Sequence, residues 1–137
     1  MPTDIIQDTS IVAKGYMIYG FQIILAKILV TGDVVTTFIP GFVGSIQKLF
    51  WVQKKAEATG GKSATLYATI NSVNVVGGLV TLTSATLTPM GKMIAGTAVT
   101  GSNVFDKDDT ISIKSTVTVA FADSGGTLYI VCGVRKY

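Results

Sequence analysis

The sequence predicts an all-β protein, an antiparallel β-sandwich of jelly-roll-like form with about eight strands, and three observations support this class. Threonine, glycine and valine are abundant, and β-branched residues mixed with turn formers favour strands joined by tight turns. Several segments alternate apolar and polar residues with a period of two, as strands with one buried face do. These segments are short and regularly spaced along the chain, which is typical of sandwiches and jelly rolls.

Three segments show the alternation most clearly, at residues 63–71, 110–121 and 128–134. Apolar residues recur at every second position, so we predict that one face of each strand lies in the core. Cys132 falls on the apolar face of the last segment, where we predict a small apolar core residue rather than a reactive thiol. The predicted core residues are Leu66, Ile70, Ile111, Ile113, Val117, Val119, Phe121, Leu128 and Ile130.

Four further segments are predicted to be strands, at residues 21–30, 34–39, 45–53 and 93–100. The third of them contains an apolar run that breaks the alternation. Two explanations carry equal weight: a β-bulge, or burial of both strand faces with the second face covered by a neighbouring subunit. The second explanation predicts a subunit interface formed by Leu49, Phe50, Trp51 and Val52.

Two glycine-rich sequences are predicted to be hairpin turns with positive φ angles. Gly77-Gly78 separates residues 71–76 from residues 79–83, and the sequence Ser-Gly-Gly at residues 124–126 separates Phe121 from Leu128. Hairpins of this kind pair neighbouring strands into antiparallel sheets.

Residues 1–20 show no comparable alternation, although they contain several aliphatic side chains. Two interpretations stay open: an arm that docks on a partner, or an extra edge strand of the sandwich domain at residues 21–137. The start of the chain lacks the basic and apolar segments of an export signal, so we expect a protein that is made in the cytoplasm and is not exported. The longest apolar stretch, residues 16–30, contains Gln22 and Lys27 and is too short for a membrane-spanning helix. The aliphatic residues that an arm would use are Ile5, Ile6, Ile11 and Val12.

The sequence has no histidine and one cysteine, and this composition argues against most catalytic and metal sites. Histidine is the commonest general base and a favoured zinc ligand. Residues 60–63 lack the first glycine that a phosphate-binding loop requires. The net charge of +3 comes from 11 basic and 8 acidic residues that are scattered along the chain, which gives no footprint for nucleic acid. We predict a protein that is not an enzyme and has no cofactor, small-molecule substrate, membrane or nucleic-acid partner.

Asp106, Asp108 and Asp109 form the one local cluster of acidic residues. Their spacing could supply oxygen ligands to a calcium ion, but the glycine and the distal glutamate of an EF-hand loop are missing. We favour an acidic turn before the strand at Ile111 and leave cation binding open. Only 14% of the residues are charged, which predicts that part of the surface meets a partner.

Seven segments occur in an order that carries a family resemblance. The first includes the Pro40-Gly41 turn within residues 38–48, and a later one is the turn at residues 108–111. The others lie at residues 64–70, 73–82, 94–103, 118–121 and 124–128. In this order the chain resembles the small decoration proteins of tailed-bacteriophage capsids, also known as cement or head-stabilising proteins, including the related β-domain of some phage head fibre proteins.

The resemblance implies a jelly-roll-like sandwich that forms homotrimers on the outer capsid surface of the virion. There it binds the major capsid protein at the junctions between hexamers and pentamers. Residues 1–20 fall outside the resemblance, and we predict that their aliphatic side chains contribute to capsid attachment while the sandwich supplies the trimer contacts. The alternative function is that of a receptor- or glycan-binding β-domain of a phage fibre or bacterial surface protein. An enzyme that uses only carboxylates would need two converging acids, whereas the chain offers one local cluster and isolated acids.

Overall fold

The computed structural model describes residues 15–24, 32–55, 60–87, 91–119, 121 and 125–134. Within these ranges the chain forms strands, turns and loops and no helix. The ten strands are β1 (Tyr16–Ile24), β2 (Gly32–Phe38), β3 (Gly44–Lys55), β4 (Ser63–Ile70), β5 (Val73–Asn74), β6 (Val80–Thr83), β7 (Met93–Ala95), β8 (Val104–Phe105), β9 (Ile111–Val119) and β10 (Gly125–Val134).

The strands form two antiparallel sheets of five strands each, and the sheets pack against each other. Sheet A has the order β1-β10-β3-β7, and β8 also pairs with β3. Sheet B has the order β2-β9-β4-β5, and β6 also pairs with β4. The predicted all-β fold with antiparallel sheets is confirmed as a β-sandwich. The strand number exceeds the predicted eight because β5 and β8 are two-residue strands without a sequence pattern of their own.

Apolar side chains from both sheets fill the space between them. Each large aliphatic side chain that is fully removed from water contributes about 1.5–3 kcal/mol, so this layer drives the two sheets together. Cys132 lies in this layer, as predicted. The other predicted core residues that the structure confirms as buried are Leu66, Ile70, Ile111, Ile113, Phe121, Leu128 and Ile130.

Val119 was predicted to lie in the core, and this prediction is wrong. Its partner in β4 is Ser63, while Val117 pairs with Ala64, so residue 118 is an extra residue in β9. A bulge of this kind shifts the inward and outward phases of a strand. Val119 is therefore 42% exposed. The side chain of Val117, another predicted core residue, lies outside the described part of the structure.

A second bulge lies in β3, just before the apolar run at residues 49–52. Val131 pairs with Lys48 and Cys132 pairs with Ile46, so Gln47 is the extra residue. Beyond the bulge Leu49 and Trp51 point into the core, while the two residues that alternate with them point outward and are half-buried. Residues 49–52 therefore alternate between the core and the outer face, and the bulge at Gln47 determines which of them point inward.

Neither glycine-rich sequence joins two strands that pair with each other, so both hairpin predictions are wrong. Gly77 and Gly78 have the expected positive φ angles, 87° and 66°, but β5 and β6 on either side of them both pair with β4. The two glycines therefore allow the chain to leave the edge of β4 after β5 and to return to it as β6. Gly125 and Gly126 lie inside β10, and β9 and β10 belong to different sheets, so the chain crosses the sandwich between them.

The tight hairpin of sheet B lies instead between β4 and β5. It turns at Asn71 and Ser72, whose φ angles are 49° and 68°. Two consecutive positive φ angles are what a two-residue hairpin turn needs, because they match the twist of the flanking strands. The sequence did not indicate this turn because neither residue is a glycine.

Two predicted strands have a limit that differs by five residues in the structure. The strand predicted at residues 93–100 is reduced to Met93–Ala95 in β7. The strand predicted at residues 21–30 begins earlier, because β1 runs from Tyr16 to Ile24 and pairs with β10 along its whole length. Residues 16–20, which the sequence had left between an arm and an edge strand, thus lie in the edge strand of sheet A. Residues 1–14 and 25–31 lie outside the described ranges.

Candidate functional site

The outer face of sheet A is formed by neighbouring strands whose outward side chains line up in rows. Phe21 and Ile23 of β1 pack on the core, so the residues that alternate with them point away from it. The pairing registers of β1, β10, β3 and β7 then place the other outward residues beside them. The three central rows contain Ile18, Val131 and Lys48; Gly20, Tyr129, Phe50 and Ala95; and Gln22, Thr127, Val52 and Met93.

Large apolar side chains on this face are left open to solvent. Tyr16 is 63% exposed, Ile18 60%, Ile24 56% and Met93 57%. The whole of β1 contains no charged residue. Soluble monomers rarely expose contiguous apolar patches of more than a few hundred Å², and larger patches mark sites of interaction. The outer face of sheet A has the composition expected of the centre of a protein interface.

The centre of this face is a stacked aromatic pair. The rings of Phe50 and Tyr129 lie with their centroids 4.9 Å apart and an interplanar angle of 18°. The Tyr129 ring also covers Gly20, since a Cβ on that glycine would lie 3.1 Å from the ring. The rings are therefore packed against each other and against the β1 backbone. This arrangement gives the face a flat and ordered centre.

Two lysines of β3 border the aromatic pair. The Nζ atom of Lys48 lies 5.5 Å from the centroid of the Phe50 ring, in the range of a cation–π contact. Lys54 is exposed at the end of β3, where it is an extra residue because Gly125 pairs with Lys55 and Gly126 pairs with Gln53. None of the outward residues that the structure describes on sheet A is acidic. The face is therefore apolar in its centre and positively charged along β3.

The outer face of sheet B has the opposite character. A row across this sheet contains Thr81, Thr65 and Thr116, and the neighbouring row contains Tyr67 and Lys114. Hydroxyl groups and a charged side chain suit contact with water. Apart from the exposed Val119, the described part of this face is suited to solvent, and the outer face of sheet A is the more apolar of the two.

The inward side of β3 holds this face in place through a buried polar contact. Nε1 of Trp51 donates a hydrogen bond of 2.7 Å to Oε1 of Gln53, and both side chains are at most 1% exposed. Nε2 of Gln53 in turn donates to the backbone carbonyl of Lys55. Gly126 of β10 lies against the Trp51 ring, where a Cβ would be 2.7 Å from the nearest ring atom. These contacts fix the end of β3 from which Val52 and Lys54 project.

The structure divides the predicted subunit interface between two environments. Leu49 and Trp51 lie in the core of their own chain, so a neighbouring subunit cannot contact them. Phe50 and Val52 lie on the outer face of sheet A and remain accessible. The predicted capsid-binding residues Ile5, Ile6, Ile11 and Val12 lie outside the described ranges.

The acidic cluster forms a turn that its own hydrogen bonds stabilise. The Asp109 carboxylate accepts one bond of 2.8 Å from the backbone N–H of Asp106 and another of 2.9 Å from Nδ2 of Asn71. These two bonds, first the one from Asp106, lower the pKa of Asp109. Among the described residues no group of acids, cysteines or histidines is arranged to hold a metal ion. The Asp109 carboxylate stabilises the turn, while the side chains of Asp106 and Asp108 are exposed.

The acidic turn lies beside a second set of exposed apolar side chains. The backbone N–H of Asn71 bonds to the carbonyl of Thr110, and that of Val76 bonds to the carbonyl of Gly101, which joins residues 71–76 to residues 101–110. On this edge Val73 is 59% exposed and Val76 is 53% exposed. The acidic edge is our name for the surface formed by Val73, Val76, Asp106 and Asp108.

Cys132 has the environment predicted for a structural residue. Its side chain is buried, and desolvation raises the pKa of the thiol to about 12. The thiol therefore stays protonated near neutral pH, where it is a poor nucleophile. Within the described ranges no helix is long and apolar enough to cross a membrane.

Comparison of the chain with protein-family models, with curated proteins and with solved structures found no match.

Sequence reasoning did not find most residues of the outer face of sheet A. The signal in β3 was the alternation of Lys48, Phe50 and Val52, which becomes visible only when the bulge at Gln47 is known. In β1 apolar residues occupy both phases, so the sequence could not show which of them point outward.

Proposed function

We propose that this protein is a structural component of a bacteriophage virion that binds the outer surface of the capsid and stabilises it as a decoration protein. The observation that carries the proposal is the apolar outer face of sheet A, opposite the hydroxyl-rich outer face of sheet B. Such a domain suits a subunit that assembles with other copies of itself through one side and meets solvent through the other, as a decoration protein on a capsid does. The low charge content of the chain supports the same function, because it leaves few charges to be desolvated on assembly.

In this proposal the sandwiches associate as homotrimers and residues 1–14 attach them to the major capsid protein. The aliphatic residues Ile5, Ile6, Ile11 and Val12 supply apolar contacts for attachment. Ordering a segment on a partner costs roughly 1–2 kcal/mol per residue in backbone entropy, which a few buried aliphatic side chains offset only in part. One segment alone therefore binds weakly, and three segments presented by one trimer bind tightly because the effective concentration is high.

The test uses capsids that lack the protein and two forms of the purified chain. The first form is the full chain, and the second begins at Gly15, which removes residues 1–14 and leaves β1 intact. We expect the full chain to co-sediment with the capsids and to raise the temperature at which they rupture. We expect the shortened chain to keep its oligomeric state and to lose most of its capsid binding.

Two outcomes would contradict the proposal. Failure of the full chain to bind capsids of its own virus would reject a decoration function. Undiminished binding of the shortened chain would leave decoration standing and would move the attachment site from residues 1–14 to the sandwich.

The alternative, a receptor- or glycan-binding domain, has one observation in its favour. Tyr16 is 63% exposed, and an open aromatic ring offers a face on which a sugar can stack. The central rings of Phe50 and Tyr129 are less suited, since each covers a face of the other. Saturable binding of host-cell polysaccharide that is lost in a Tyr16→Ala variant, without capsid binding, would favour this alternative.

A further inference from the structure

We propose that the outer face of sheet A binds the acidic edge of a second copy of this chain, so that the copies join head to tail into a closed ring. The inference deepens the trimer part of the proposed function and rests on it for the number of copies. It names both halves of the contact, of which the sequence indicated only Phe50 and Val52.

The two surfaces are complementary in polarity and in charge. The outer face of sheet A combines the exposed side chains of Ile18 and Met93 with Lys48 and Lys54. The acidic edge combines the exposed side chains of Val73 and Val76 with the carboxylates of Asp106 and Asp108, which outnumber the one exposed ammonium group between them, that of Lys107. Apolar side chains therefore meet apolar side chains, and ammonium groups meet carboxylates. Proteins that are soluble as monomers and associate specifically use this combination in their interfaces.

A symmetric contact between two outer faces of sheet A fits less well. It would bring the Lys48 and Lys54 side chains of both copies into one interface, and none of the described outward residues of sheet A is an acid that could pair with them. Like charges placed together in an interface cost several kcal/mol. The carboxylates of the acidic edge, which follow β8 and are not among the outward residues of sheet A, remove this cost.

A contact between two different surfaces generates a ring or an open filament, whereas a contact between identical surfaces generates a dimer. Each copy in a ring uses its outer face of sheet A once and its acidic edge once. The ring therefore covers both apolar surfaces on every copy. Closure after three copies gives the trimer of the proposed function.

The location of Lys48 and Lys54 adds specificity to the contact. They are separated by six residues of β3, a distance of about 20 Å in an extended strand. The two charges thus extend along the face and flank the stacked rings of Phe50 and Tyr129. This pattern favours a protein surface over a lipid bilayer, because the rings are packed on each other and on β1 rather than free to insert.

The test exchanges the charges of the two surfaces by mutation of exposed residues. One variant carries Lys48→Glu and Lys54→Glu, a second carries Asp106→Lys and Asp108→Lys, and a third carries all four changes. Asp109 is left unchanged because its carboxylate stabilises the turn. The matched control carries Thr81→Glu and Thr116→Glu on the exposed outer face of sheet B. Circular dichroism and thermal melting check that each variant folds, and sedimentation at micromolar concentration gives its mass.

We expect the first and second variants to dissociate into monomers, with the dissociation constant raised by at least a factor of about 100. The third variant should recover the mass of the wild type, because its charges are again complementary. The sheet B control should sediment as the wild type does.

Three results would overturn the inference: a monomeric wild-type protein, single-surface variants that keep the wild-type mass, or no recovery in the four-residue variant. Binding of the wild type to vesicles of phosphatidylglycerol, lost in the first variant, would also overturn it in favour of a membrane. If the four-residue variant recovers the wild-type mass but the protein does not bind capsids, the contact between copies is supported and the decoration function is rejected. If the protein binds capsids but remains monomeric, the decoration function is supported and the contact between copies is rejected.

Discussion

Trp51 and Gln53 form a hydrogen bond inside the sandwich, from the indole Nε1 to the amide Oε1, at 2.7 Å. The two residues are neighbours on the inward side of β3 and are at most 1% exposed. An indole N–H at this depth needs an acceptor, because a buried donor without a partner costs about 1–3 kcal/mol. The bond permits a large aromatic residue to fill the core behind Phe50 and Val52.

Replacement of Gln53 by leucine tests this role. The Gln53→Leu variant leaves the Trp51 N–H without its acceptor, and we expect a loss of about 1–3 kcal/mol in the free energy of unfolding, measured by urea denaturation. Thr81→Leu is the control, since Thr81 is exposed on the outer face of sheet B. The control should stay within about 0.5 kcal/mol of the wild type. A Gln53→Leu variant as stable as the control would show that the bond contributes nothing.

Gly126→Ala should be far more damaging than an ordinary glycine substitution. The added Cβ would lie 2.3 Å from the carbonyl oxygen of Val52 and 2.7 Å from the Trp51 ring. Because a backbone atom cannot yield as a flexible side chain does, we expect a loss of at least about 3 kcal/mol in unfolding free energy. Gly60→Ala is the control, since no atom lies within 4 Å of its added Cβ. Equal stability of the two variants would contradict the packing described for β10.

Ser115 of β9 offers a prediction of the opposite sign. Its side chain is fully buried, and its Oγ atom has no hydrogen-bond partner among the described residues. Removal of an unsatisfied hydroxyl recovers its desolvation cost, so we expect Ser115→Ala to leave stability unchanged or to raise it by about 1 kcal/mol. Thermal unfolding at neutral pH measures the change. A loss of more than about 1 kcal/mol would mean that the hydroxyl is bonded in solution.

The Asp109 carboxylate predicts a dependence of stability on pH. Its pKa in the folded protein lies below the ordinary value of 3.8, through the bonds from Asp106 and Asn71. A lowered pKa contributes stability that is present above the unfolded pKa and is lost as the pH falls through the folded pKa. NMR titration should give a midpoint below 3.8 in the wild type and a higher one in Asn71→Gly. Glycine suits the positive φ of 49° at this position while it removes the donor. An unchanged midpoint would show that Asn71 does not stabilise the charge.

The sequence was sufficient to predict the fold class and to locate the strands in which apolar residues occupy only every second position. β4 was predicted almost to the residue because Ala64 begins a clear alternation, and the inward phase of β10 was predicted correctly from Leu128 onward, although the strand begins at Gly125. The bulges at Gln47 and residue 118 were not predictable, because a bulge depends on the register with a neighbouring strand. For the same reason the sequence could not assign β9 and β10 to different sheets. The hairpin at Asn71 was missed because its positive φ angles occur without glycine.

The candidate surface was harder to predict than the core. Phe50 and Val52 could be suspected from the apolar run, but Leu49 and Trp51 were indistinguishable from them until β3 was paired. The outward residues Ile18 and Met93 lie in other strands, and only the sheet order brings them to the same face. A surface made from four strands has no signature in any one segment.

In the ring that we propose, the outer face of sheet A is a contact between copies of this protein. The most direct measurement is the mass in solution, by sedimentation equilibrium at micromolar concentration, of the wild type and of the Ile18→Glu variant. We expect the wild type to have three times the chain mass of 14.4 kDa. Ile18→Glu should have the mass of one chain, because it places an unpaired carboxylate in the apolar contact. A wild type that sediments as a single species of 14.4 kDa would contradict the claim.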